Sequence, residues 1–211
     1  MSIQQLFDQH VSSEFLAEFG MALARLYDEA YSEAKAQVSL PEVGDTLPHL
    51  RRGMIEGEFR KLGRKFGLRA RIPSNPKGNR HTQLHAGPII LTQSFVREEW
   101  GRVRQARFRN KLAQRNRLLF ESEFEGGADK VYGILIHCAD PEKKSLVSFY
   151  GIGFPAYSSD AWVERRNLTH MVREASTPTI EVDLPRTGVE QIPDQVPLTL
   201  RRADNRGSKE A

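Results

Sequence analysis

An α+β fold is predicted for this 211-residue chain, and three observations predict it. The N-terminal third repeats apolar residues at three- and four-residue intervals, the period of helices buried on one side. Two long apolar runs, Lys130–Cys138 and Leu146–Phe154, flank the turn-forming ADPEKKS and read as an antiparallel hairpin at the centre of a sheet. Between these regions lies a basic helix, a two-stranded ribbon and a second basic helix. The expected order is therefore two N-terminal helices, a basic helix–β-ribbon–helix middle, then the hairpin packed by a C-terminal helix.

Residues 3–36 read as a helix broken near Ser12–Ser13. Leu6, Phe7, Val11, Phe15, Phe19, Leu23, Leu26, Tyr27 and Tyr31 form its apolar side, and Glu14, Glu18, Asp28, Glu29 and Glu33 its acidic one. Two prolines and a Gly-Asp make VSLPEVGDTLP, residues 38–48, a linker. Thr46 is placed to cap a second helix, with Pro48 in the first turn. That helix, residues 47–66, carries an apolar stripe from Leu47 to Phe66, with Arg51, Arg52, Arg60, Lys61, Arg64 and Lys65 over much of the rest. Gly67 suits its termination.

Leu68–Ile72 alternates as a strand, Gln83–Val96 is a second extended run, and PSNPKGNRHT between them is a basic tip. A basic helix followed by such a ribbon has the outline of a winged-helix element, whose helix enters the major groove while the ribbon tip touches phosphate or the minor groove. Arg97–Arg117 then holds seven arginines and one lysine against Glu98 and Glu99, and reads as a helix over 99–119. Its apolar residues do not make one stripe. Phe108, Leu112 and Leu119 share a face while Trp100 and Val103 point elsewhere, so a kink or a change of packing partner is expected near Gln105–Arg107. Some of its arginines must then face the protein, paired with carboxylates and carbonyls. A helix over 159–175, an edge strand at Thr177–Leu184 and a disordered RRADNRGSKEA end the chain. The layout is an N-terminal helical segment at 1–37, an α+β core at 46–185 and an extended tail at 186–211.

Between Arg51 and Arg117 lie 18 Lys/Arg and four Asp/Glu, leaving 13 basic and 23 acidic residues for the rest of the chain. A one-sided field of that kind attracts polyanions. The competing expectation is that the basic and acidic segments neutralise each other within the fold. No run reaches the roughly 18 apolar residues of a membrane helix, and the N-terminus lacks the pattern of a secretory signal. The lone Cys138 excludes an internal disulfide and a four-cysteine zinc site, and points to a reducing cytoplasm.

The predicted function is cytoplasmic nucleic-acid binding, duplex DNA before RNA, alone or as a subunit of a larger complex. The expected contacts are Arg60, Arg64, Lys65, Lys77, Arg80, His81, Arg102, Arg104, Arg109, Lys111, Arg115 and Arg117. No cofactor is implied, because there is no Walker loop, dinucleotide fingerprint or serine elbow. No metal is implied either. His81 and His85, four apart on an extended segment, stand about 13 Å from each other, and His137 and Cys138 face opposite ways on one strand. The rival from another class is a scaffold subunit docking on an acidic protein partner. A second copy joined through the N-terminal helices is a further possible partner.

Tyr132-Gly133-Ile134, Tyr150-Gly151-Ile152-Gly153, then Arg165, Arg166 and His170 on an expected helix, occur in an order that loosely resembles GIY-YIG nucleases. The resemblance covers about 40 residues. It implies tyrosines on a hairpin, an arginine on the next helix and a metal-binding glutamate, here Glu174 or Glu181. If the chain is an enzyme, the resemblance makes it a metal-dependent nuclease. The chain departs from the pattern in reading YGI first, and in lacking an Asn-rich segment after Gly153.

Overall fold

A computed structural model describes residues 2–73, 81–121, 130–156 and 161–176, excepting the side chains of 117–121 and 173–176. Helices α1 (Ile3–His10) and α2 (Ser13–Gln37) begin at serines that satisfy their first amides. Ser2 and Gln5 form a reciprocal capping box, and Ser12 accepts from the Phe15 amide. The break expected near Ser12–Ser13 is this second cap.

Helix α3 (Leu40–Lys65) starts well before the expected position, and residues 40–46 are helix rather than linker. Pro41 stands in the first turn, where no amide partner is needed. Val43 and Leu47 bury themselves on Ala30 and Ala34 of α2, which outweighs the local punctuation and carries the helix through Pro48. Its end obeys the expected chemistry. Gly67 takes φ +74°, its amide bonds Arg64 O, and the Leu68 amide bonds Gly63 O at 2.7 Å, a Schellman termination.

The strands β1 (Arg69–Arg71), β2 (Gln83–Ala86), β3 (Ile89–Phe95), β4 (Val131–Ala139), β5 (Val147–Pro155) and β6 (Trp162–Asn167) form one sheet in sequence order. All neighbours are antiparallel except β3 and β4. The single extended run expected over 83–96 is a hairpin, because Gly87 at φ +53° followed by Pro88 closes a two-residue turn. The ribbon β1–β2 is thus the edge of the sheet and not a separate wing.

Residues 97–106 are not helical, and α4 (Arg107–Glu121) begins where the change of packing partner was expected. Trp100 sits at φ +54°, its ring against Phe149, Trp162 and the Arg165 guanidinium. Holding that ring over Gly151 takes a backbone that no helix provides. The helix expected over 159–175 divides into β6 and α5 (Thr169–Ser176). Alternating exposure along β6 is the strand signature that its Trp, Val and charged residues hid. The expected strand at 177–184 and the tail lie outside the described residues.

Helices α1 to α3 and α5 cover one face of the sheet over a large core that includes Phe7, Phe15, Phe19, Phe59, Leu135 and Tyr150. Loop 97–106 and α4 cover the other, with Val103, Leu112, Ala113, Tyr132 and Phe149. Among the described residues no helix is long and apolar enough to cross a membrane.

Candidate nucleic-acid interface

Strand pairing brings together cations that are far apart in sequence. Arg69 pairs with His85 and Arg71 with Gln83 across β1 and β2, while Ala70 between them faces the α1–α3 core. Both arginines and His85 therefore stand on the α4 side of the sheet edge. Lys130 joins them because the Val131 amide donates to Pro88 O at 2.9 Å, fastening the start of β4 to the β2–β3 turn.

Arg115 is placed by its neighbour. Asn116 is fully buried and bridges β4 to β5 where they separate. Its Nδ2 donates to Tyr132 O at 2.9 Å and Pro155 O at 2.7 Å, and its Oδ1 accepts from the Tyr132 amide at 2.7 Å. That anchor directs Arg115 over the edge. Arg69, Arg71, Arg115 and Lys130 are all exposed, and among the described residues none has a carboxylate within ion-pair distance. Burial, then the charges of Lys130, Arg71, Arg69 and Arg115, hold the His85 imidazole below its ordinary value.

The expected contact residues divide into three groups. Arg64, Lys111, Arg115, Arg102 and Arg104 are exposed, Arg60 is half-buried, and none of the six has a carboxylate partner among the described residues. Arg60 and Arg64 lie on the last turns of α3, the helix that packs against β1 and β2. A second group is engaged internally. Lys65 is paired with Glu18. His81 is buried and stacked on Phe108 with ring centres 3.4 Å apart. Arg109 donates to Arg104 O at 2.7 Å and to Gln93 O at 3.4 Å, and lies over the Phe108 ring. Desolvation lowers the Arg109 pKa and pushes the adjacent Tyr132 hydroxyl up to about 12. Its role is to hold the start of α4 to β3. The third group is not described: Lys77, Arg80 and the Arg117 side chain lie outside the described residues.

Arg69, Arg71, His85 and Lys130 are not among the contacts expected from the sequence. The signal for the first two was present in RAR, whose arginines share a face in a strand. Their meeting with His85 and Lys130 depends on register, which a lone sequence does not display.

The opposite face holds a directed chain of polar side chains. Gln93 Nε2 donates to Glu56 at 2.9 Å, so Gln93 Oε1 accepts from His137 Nε2–H at 2.9 Å. That leaves His137 Nδ1 to accept the Tyr27 hydroxyl at 2.6 Å, and the Thr82 amide supplies Glu56 from the other end. Burial holds His137 down to about 3, so it is a neutral brace between α2, α3 and the parallel strands. Cys138 turns the other way, to Ser148 Oγ at 3.1 Å.

The hairpin tyrosines do not meet. Tyr132 faces α4 and bonds Thr92, whereas Tyr150 faces the other core and donates to Leu16 O. Arg165 and Arg166 lie on β6, a strand, and also point to opposite faces. The Glu174 side chain and Glu181 lie outside the described residues. Among the described residues no three His, Cys, Asp or Glu side chains gather as a metal site. Comparison of the chain with family models, curated proteins and solved structures gave no significant match.

Proposed function

We propose that this protein binds nucleic acid, duplex DNA foremost, through the β1–β2 edge and the outer side of α4. The observation that carries the reading is the convergence of exposed Arg69, Arg71, Arg115 and Lys130 with no carboxylate partner among the described residues. Cations without internal partners are free to neutralise phosphates, and each contact releases condensed counterions. Arginine adds the bidentate geometry that suits phosphate oxygens. Arg60, Arg64 and Lys111 extend the surface around the same edge, and Arg102 and Arg104 precede α4. A surface of this composition positions a duplex by its backbone and carries little sequence information.

Fluorescence anisotropy with a DNA duplex of arbitrary sequence tests this. The expected result is binding at low salt that weakens steeply, with log K falling linearly in log salt at a slope of about −4 to −6 for four to seven phosphate contacts. Unrelated sequences should bind alike. Absence of binding at low ionic strength would refute the proposal.

A further inference from the structure

Resting on the nucleic-acid reading, we propose that His85 takes up a proton when a phosphodiester seats among Arg69, Arg71, Arg115 and Lys130, so that binding at this edge is proton-coupled.

Strand register sets the His85 imidazole beside Arg69, its partner on β1, with Arg71 on the same face. Arg115 of α4 and Lys130 at the start of β4 are near enough for their charges to act on it, and its β3 partner is the apolar Ile90. No carboxylate among the described residues approaches it within ion-pair distance. Its Nε2 is buried and has no hydrogen-bond partner among the described residues.

In the free protein, burial and the four cations disfavour a fifth positive charge, so the imidazole is neutral near pH 7. A seated phosphate reverses the effect of the cations. Its negative charge offsets them, which favours the imidazolium. The bound-state pKa therefore exceeds the free one. The extra affinity is fully present below the free pKa and is lost as pH rises through the bound one. The cations that attract the anion are those that hold the proton off in its absence, so one change of charge serves both.

NMR titration of the histidine ring resonances, with and without a short DNA duplex, tests the coupling, and His85→Gln assigns the signal. In the free protein the His85 midpoint should lie below the ordinary 6.5, and DNA should raise it by about one unit or more. Each unit corresponds to about a tenfold gain in affinity at acid pH, and His85→Gln should lose that gain while still binding at alkaline pH. Arg71→Gln, at an exposed position, should raise the free midpoint without DNA. DNA binding with an unmoved midpoint, or an identical pH dependence in His85→Gln, would overturn the coupling and leave the binding reading intact. Failure to bind at any pH at low salt would overturn both.

Discussion

On the last turn of α3, Lys65 ends at the carboxylate of Glu18 on α2, whereas Arg69 and Arg71, just beyond the helix, meet none among the described residues. The two faces of the sheet repeat that contrast. On the helical face Arg25 bonds Glu29 and lies near Glu58, Lys61 pairs with Glu58, and Arg166 with Asp8. On the α4 side, Arg69, Arg71, Arg115 and Lys130 gather around a histidine. Of the basic middle, Lys65 is thus neutralised by an acid of α2 and Lys61 by Glu58 of its own helix. The α4 side of the edge keeps its charge, and that remainder is what a polyanion would meet.

The contrast extends to what holds each face. The helical face carries the larger aromatic core together with the His137 chain, while α4 adds the directional bonds of Asn116 to a smaller apolar core. Asn116→Ala would leave the Tyr132 amide and the Tyr132 and Pro155 carbonyls short of buried partners, at a cost of about 3 kcal/mol. Urea unfolding should show it as a lower midpoint with an unchanged slope. A loss below about 1 kcal/mol would mean that α4 is not held this way.

His137 on the helical face and His85 on the α4 side are expected to differ in what their protons control. The unfolded chain's imidazole takes a proton below about 6.5, whereas His137 in the fold takes none until about 3. Its contribution is present above that upper value and is lost as pH falls through the interval, at about 1.4 kcal/mol per pH unit. The difference in stability between the wild type and His137→Gln, measured from pH 7 downward, should shrink accordingly. A difference that stays constant with pH would show that His137 is not buried neutral.

Much of the fold was legible because local chemistry and global packing agree. The Ser12 cap, the Gly67 terminus and the β4–β5 hairpin each arise from residues adjacent in sequence. Apart from the local Gly87-Pro88 turn that divides the 83–96 run, the departures share one cause, tertiary contact overriding a local signal. Val43 and Leu47 carry α3 through residues that read as linker, the Trp100 ring holds 97–106 out of a helix, and Trp162 packs β6 against Gly153. The candidate interface was legible as a charge and not as a place. Arg109 and His81 count as basic in the sequence yet serve the packing of α4, and Arg69, Arg71 and Lys130 gain meaning only from register.

The central claim is that the cations at the β1–β2 edge that have no carboxylate partner among the described residues, and not overall charge, bind nucleic acid. It is tested by two quadruple variants of equal charge change. One replaces Arg69, Arg71, Arg115 and Lys130 with Gln; the other replaces Arg25, Lys61, Lys65 and Arg166. Neither set should cost much stability, since exposed ion pairs contribute about 0–1 kcal/mol each. The measurement is the salt slope of duplex DNA binding. The first variant is expected to flatten it by about 3–4, the second by less than about 1. Equal flattening by both would contradict the account.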